Sequence, residues 1–381
     1  MGKSMTAEDQ GVRPFRIAVP QRDLDDLRMR LERTRWGDDL GGAGADYGVP
    51  AEYVRYLSAH WQHGYDWRAW EERINQHPQF ETTIDGQRVH FLHVRSKERG
   101  ALPIIMTHGW PGSIVEFLDV IAPLVDPVAH GGQAGDAFHV VVPSLPGYAF
   151  SGPTTERGWD NARIARAWVE LMARLGYGRY GAVGNDAGSM ISPEMGRLDP
   201  DHVAGVHVTQ LFSFPSGDPN EMKDLTPDEQ SQLQTLQWFF HNKMSFNTLM
   251  AQQPHTLGYA LNDSPVGLLG WQAQLMGEEL DPDFVLTNVM LYWLTRTGAS
   301  AARLYYENAH RQAPPPSGPT TLPTGLAGFG GDFYGIRRFA QRDHANIVRW
   351  TTHDHGGHFA AHKVPGLYVD DLRAFFREIG R

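Results

Sequence analysis

Gly184-Asn185-Asp186-Ala187-Gly188 decides how this chain is read. A small residue stands two positions before a central aspartate and another two positions after it. The stretch follows the short apolar run Tyr180-Gly181-Ala182-Val183. That pattern marks a strained turn from a strand into a helix, on which some enzymes mount a nucleophile. Where serine is usual, this chain has Asp186. A carboxylate is ionised at neutral pH and needs no base to activate it. It suits attack on a saturated carbon, which leaves an ester for water to cleave. The chemistry narrows to opening a strained ring or displacing a halide.

Strand-like and helical patterns alternate around this turn. Residues 82–94 predict a hairpin about Asp85-Gly86. Residues 103–107, 138–143, 180–183 and 203–208 are short apolar runs suited to buried strands. A helix is expected from Asn161 to Leu175. Such alternation implies an α/β fold with a mostly parallel central sheet and helices on both faces. The pattern breaks from about 212 to 310, where helical periodicity and prolines replace strands. Strand-like runs resume at 324–329 and 346–351, and a last helix covers 369–376. The expectation is a helical lid inserted after the fourth apolar run, with the Pro-rich stretch 314–319 as its return linker. Ahead of the core, 17–36 predict an amphipathic helix with Asp23 as N-cap. The aromatics Tyr53, Tyr56, Trp61, Tyr65, Trp67 and Trp70 are expected to pack an N-terminal appendage against the core. The predicted divisions are 1–80 (appendage), 81–211 (first part of the core), 212–312 (lid) and 313–381 (second part of the core).

At 381 residues the chain can bury a large core. Its net charge of −10 argues against non-specific binding to nucleic acid or an anionic membrane. With no cysteine, disulfides, thiol nucleophiles and thiolate metal sites are excluded. The first 16 residues lack the apolar stretch of a signal peptide, and no run approaches 18 uninterrupted apolar residues. The expected setting is the cytoplasm. No cofactor is expected, and the expected partners are a small molecule and water. An apolar appendage is also compatible with a homodimer. His353, His355 and His358 have a spacing that suggests metal ligation, but no acidic ligand pattern accompanies them.

Two further loops complete a catalytic constellation. Thr107-His108-Gly109-Trp110-Pro111-Gly112-Ser113 directly follows a strand. There the N–H of Trp110, with that of Ala187, can form an oxyanion hole. Asp354-His355-Gly356-Gly357-His358-Phe359 follows the last strand. In folds built on this turn, nucleophile, acid and histidine come in that chain order, so a late histidine is expected, and His358 stands out because two glycines precede it on a loop after a strand. Asp332, after the preceding strand, is the chosen orienting acid, with Asp343 and Asp354 as alternatives.

Nearly the whole chain resembles the epoxide hydrolases that carry an N-terminal segment ahead of an α/β-hydrolase core, the microsomal and juvenile-hormone type. The resemblance rests on Pro14-Phe15-Arg16-Ile17, Tyr65-Asp66-Trp67-Arg68, the HGWPGS motif at 108–113, and Gly184 to Ser189. Residues 261–268 and 356–361 add to it. It implies a two-step reaction. Asp186 opens the epoxide to an ester, and His358, held by the acid, activates the water that cleaves it. The family's Phe-Pro-x-Glu acid corresponds to Asp332 in Phe329-Gly330-Gly331-Asp332. Its Arg-Phe-Tyr-x-Glu corresponds to Arg303-Leu304-Tyr305-Tyr306-Glu307, making Tyr305 the lid acid and Tyr306 its neighbour. The seat of a second lid tyrosine falls on Phe246, which cannot donate a hydrogen bond. Tyr148, Trp238 and His241 are the substitutes weighed, and Phe246, Trp238 and Tyr148 the expected substrate contacts. The aromatic lid implies an apolar or aromatic epoxide, converted to a vicinal diol in detoxification or natural-product biosynthesis. Ala187 stands where aspartate-nucleophile dehalogenases carry a tryptophan. A hydrolytic dehalogenase and a non-catalytic binding protein on the same scaffold remain the alternatives at this point.

Overall fold

The turn at Asp186 lies at the end of one strand in a nine-stranded sheet, and the sheet accounts for its position. The computed structural model describes residues 11–311 and 318–380. The described strands are β1 (Arg13–Phe15), β2 (Gln79–Ile84), β3 (Gln87–Val94), β4 (Leu102–Thr107), β5 (Phe138–Pro143), β6 (Tyr180–Gly184), β7 (Val203–Val208), β8 (Thr324–Phe329) and β9 (Ile347–His353). Their order is β1-β2-β3-β5-β4-β6-β7-β8-β9. From β5 to β9 every pairing is parallel, and β1, β2 and β3 add antiparallel strands at one edge. Ile104, Ile105, Val140, Val141, Ala182 and Val183 have no exposed surface. Covered on both faces, such strands read as continuous apolar runs, which is why the sequence revealed them. Burying each valine or isoleucine contributes about 1.5–3 kcal/mol.

Helices α1 (Gln21–Glu32), α2 (Ala51–His63) and α3 (Trp67–Asn75) precede the second strand. Helices α4 (Leu118–Val125), α5 (Asn161–Arg174) and α6 (Ala187–Leu198) connect the central strands. Between β7 and β8 the chain makes a helical excursion: α7 (Pro227–Asn242), α8 (Ser245–Gln252), α9 (Pro254–Asp263), α10 (Pro265–Met276), α11 (Pro282–Thr295) and α12 (Gly298–Ala309). Helices α13 (Arg337–Asp343), α14 (Ala360–Lys363) and α15 (Pro365–Glu378) complete the fold. Residues 314–317 of the expected Pro-rich linker lie outside the described residues. No described helix is long and apolar enough to cross a membrane.

The first helix departs from expectation. It begins at Gln21 behind Pro20, and Asp23 is not its N-cap but lies in the first turn, donating its N–H to Pro20 O at 3.0 Å. There its charge still complements the positive end of the helix. The N-terminal segment also does more than lie on the core. Its strand β1 joins the sheet, with Pro14 opposite Phe80.

Helices α1 to α3 grip the helical excursion. Tyr53 donates to Gly277 O at 2.9 Å, Trp61 Nε1 meets Met290 Sδ at 3.1 Å, and the Tyr65 and Thr287 hydroxyls lie 3.0 Å apart. Arg30 donates to Asp263 O at 2.8 Å. Tyr56, by contrast, points to solvent. Residues 284–293 of α11 are buried without interruption. A helix apolar all round is interior, enclosed on every side. From its other side Asn288 accepts the Ser113 hydroxyl at 2.6 Å, and Tyr292 donates to Gly112 O at 2.6 Å. The N-terminal helices thus back the helix that holds the 108–113 loop. Trp61→Ala, which empties the centre of this packing, is expected to lower unfolding free energy by about 3–5 kcal/mol, measured by urea denaturation against the wild type.

Candidate active site

Asp186 has φ +54° and ψ −117°. An L-residue rarely holds such a backbone, and the strain is of order 1–3 kcal/mol. What permits the turn is close packing from the sheet side. A Cβ at Gly188 would sit 1.9 Å from the carbonyl oxygen of Thr107. A Cβ at Gly109 would meet Asp186 Oδ1 at 2.0 Å. Both positions therefore have to be glycine for β4, the 108–113 loop and α6 to converge here.

The carboxylate of Asp186 is held asymmetrically. Trp110 N–H donates to Oδ1 at 3.0 Å, and the N–H of Ala187 also bonds the carboxylate. Oδ2 faces His358 Nε2 at 3.9 Å. On the other side of that ring, His358 Nδ1 lies 2.9 Å from Asp332 Oδ2. The carboxylate can only accept there, so Nδ1 carries a proton and Nε2 is the nitrogen turned toward Asp186. Asp332 Oδ1 accepts the N–H of Phe333 at 2.9 Å. Asp186 and His358 lie deep in the protein yet keep 23% and 26% of their side-chain surface accessible.

The charges explain the titration. Burial raises Asp186 above the ordinary carboxylate value, although His358 and the N–H groups of Ala187 and Trp110 oppose it. Burial also works against a charged His358, but Asp332, by charge and by hydrogen bond, and then Asp186 override it and raise the imidazole to about 9. At neutral pH the resting pair is a carboxylate facing an imidazolium. Burial lifts Tyr305 well above its ordinary value, with Asp186 adding to the effect, so it keeps its proton.

Tyr305, on α12, meets Phe246, on α8, edge to face with centroids 5.7 Å apart. Tyr306 instead stacks on His310 at 4.0 Å. Tyr148 is buried against Trp110 and Tyr292, with centroids at 6.4 and 5.8 Å, and its hydroxyl has no hydrogen-bond partner among the described residues. Trp238 is not brought to this group. It lies 55% exposed on α7, with Lys243 Nζ 5.9 Å from its ring centroid, and His241 is exposed nearby. Sequence composition shows that the excursion is aromatic but not which faces turn inward, and α7 presents these side chains to solvent. Asp343 is engaged by Arg342 through both oxygens, and Asp354 is exposed, so neither orients His358. His355 is also exposed, and His353 stacks on Phe329 at 4.9 Å, so the three late histidines do not converge.

Several participants carried no sequence signal. Gln210, two residues beyond β7, has Oε1 2.9 Å from Asp186 N and Nε2 2.7 Å from Asp332 Oδ2. Asn185 Nδ2 donates to the carbonyl of His358 at 3.1 Å and lies 3.3 Å from Glu116 Oε1. Burial pushes Glu116 up to about 8, against the pull of His358 and the Asn185 bond, so it is largely uncharged at neutral pH. His108 is different: it takes Leu145 N–H on Nε2 at 3.2 Å and bonds Gly109 O through Nδ1 at 3.0 Å. It braces the loop in its neutral form, with burial lowering it to about 4.

Residues 12–117 match the model of the epoxide hydrolase N terminus, and residues 103–248 that of the alpha/beta hydrolase fold. A Stigmatella aurantiaca (strain DW4/3-1) protein with a provisional epoxide hydrolase name is 43% identical over 380 residues, covering 97% of this chain and 86% of that protein. Epoxide hydrolase 1 of Sus scrofa is 31% identical over 408 residues, covering 97% of this chain and 89% of its own length. The crystal structure of juvenile hormone epoxide hydrolase from the silkworm Bombyx mori has a TM-score of 0.88 at 25% identity, covering 98% of this chain and 95% of that one. The likeness spans the N-terminal segment, the sheet and the helical excursion together. The chain belongs to the epoxide hydrolases, on an α/β-hydrolase fold.

Proposed function

We propose that this hydrolase converts an apolar or aromatic epoxide to a vicinal diol through an ester on Asp186, with the helical excursion as the lid over the site. One observation carries the reading. A single carboxylate accepts two peptide N–H groups, that of Trp110 on Oδ1, and turns Oδ2 toward a histidine that is itself paired with a second carboxylate. That asymmetry assigns the steps. Oδ2 attacks an epoxide carbon and the ring C–O bond breaks. Tyr305 gives its proton to the departing oxygen and is reprotonated from the imidazolium of His358. The ester is neutral, so the charge that helped keep His358 protonated is gone, and the ring becomes a base when a base is needed. Neutral His358 then takes a proton from water as the water oxygen adds to the ester carbon. Negative charge collects on Oδ1, where Trp110 donates, and the N–H of Ala187 adds to the same carboxyl group. Collapse releases the second diol oxygen with a proton and restores the carboxylate and imidazolium.

Phe246, Tyr148, Trp110 and Tyr292 give the site an aromatic lining, which supports the substrate class. Phe246 offers no donor opposite Tyr305, so proton donation rests on Tyr305 in this scheme. The halide-displacing alternative lacks support from the relatives, and a binding-only role leaves the charged triad unexplained.

Three measurements test this scheme. A single turnover in ¹⁸O-water with unlabelled enzyme is expected to give a diol free of label, because its new oxygen comes from Asp186; full labelling of that first diol excludes the ester. NMR titration is expected to place His358 near 9 in the free enzyme, and lower in Asp186→Asn, where the neighbouring negative charge is gone; an unchanged value excludes the proposed coupling. Tyr305→Phe is expected to lower kcat/KM for a styrene-type epoxide by roughly 10²–10⁴-fold, whereas Tyr306→Phe leaves it near the wild-type value.

A further inference from the structure

Gln210 is 2% exposed and is hydrogen-bonded to both halves of the catalytic group. Its Oε1 accepts the N–H of Asp186 at 2.9 Å, and Ser189 Oγ lies 3.0 Å from the same oxygen. The Thr209 hydroxyl is 2.9 Å away but has a closer acceptor, Asn185 Oδ1 at 2.6 Å. The amide Nε2 donates to Asp332 Oδ2 at 2.7 Å. Chemistry fixes the amide's orientation. A peptide N–H can only donate and an ionised carboxylate can only accept, so the reverse orientation would break both bonds. Asp332 Oδ2 is the same oxygen that takes Nδ1–H of His358 at 2.9 Å. One carboxylate oxygen therefore shares its charge between an imidazolium and a neutral amide.

We propose that Gln210 is a positioning residue that couples the nucleophile turn to the acid–histidine pair and sets the basicity of His358. This rests on the two-step scheme above. Two physical effects are joined in one side chain. The buried N–H of Asp186, in its strained conformation, needs a partner, and Gln210 Oε1 supplies it. At the other end, Nε2 draws charge away from the Asp332 oxygen that holds the imidazolium. Without that donor, Oδ2 of Asp332 acts on His358 alone and holds its proton more tightly. Each unit of upward shift leaves about tenfold less neutral imidazole at a pH well below the pKa. The step that needs a neutral base, ester hydrolysis, slows accordingly. Ester formation, which starts from the imidazolium, is affected less.

Gln210→Met keeps the shape and removes both hydrogen bonds. With a styrene-type epoxide and rapid quenching, the Asp186 ester is followed by intact-protein mass, and His358 by NMR titration. The expected result is a His358 pKa raised by about one unit, ester accumulation, and hydrolysis roughly tenfold slower at pH 7. A variant with the wild-type His358 pKa and wild-type rates, but a lower melting temperature, overturns the proposal and leaves Gln210 as packing. Gln210→Glu provides a second route should the methionine variant fail to fold. A protonated glutamic acid still donates to Asp332, whereas its ionised form adds a negative charge. The expected result is an extra ionisation in the pH profile of ester hydrolysis, absent from the wild type; a superimposable profile overturns the proposal. Failure of the two-step scheme itself is separately visible, as no ester mass on the wild-type enzyme, and the His358 titration decides the role of Gln210 in either case.

Discussion

The backbone of Asp186, held at positive φ, is the constraint around which the site is organised. The turn presents the carboxylate above the sheet, free of its own helix, and strain is the consequence. Three supports hold it. Close packing of Gly188 on the Thr107 carbonyl closes the turn from below. Gln210 takes up the N–H of Asp186. The 108–113 loop, fastened to α11 through Asn288 and Tyr292, brings Trp110 N–H onto the carboxylate. Local preference alone would relax this geometry; tertiary contacts with residues far away in sequence prevent it.

A second regularity is that charge in the interior is distributed so that few groups carry it alone. Asp186 and Asp332 flank one histidine, and burial leaves the nearby Glu116 largely neutral. Isolated charges in a low-dielectric interior are expensive, and a carboxylate–imidazolium–carboxylate row reduces that penalty through mutual attraction and donated N–H groups. The same row makes the histidine sensitive to the charge state of its neighbour. In the proposed reaction, that sensitivity converts a proton holder into a proton acceptor once the first bond has formed.

How much of this was legible in the sequence depended on whether chemistry or packing selected the residue. That Asp186 and His358 come together was legible because an aspartate after a short apolar strand and a late histidine behind two glycines are patterns tied to chain order. The apolar runs of β4 to β8 were legible because strands covered on both faces are apolar over most of their length. The strand at Arg13–Phe15 was missed, since three residues carry no period and only the edge of β2 makes them a strand. Gln210 was missed for a related reason. Its two partners lie 24 and 122 positions away, and nothing local distinguishes it from any other glutamine. Trp238 was misjudged because composition reports how many aromatic side chains a segment has and not where they point.

The way α11 is enclosed has a consequence for how this fold can change. That helix is clasped by α2 and α3 on one side and holds the 108–113 loop on the other. A helical excursion exchanged between relatives would arrive without the surface that seats its central helix. Helices α1 to α3 and the helical excursion therefore form one matched pair of surfaces, far apart in the chain. Variation in either half is constrained to follow the other, while the strands between them are free to stay as they are.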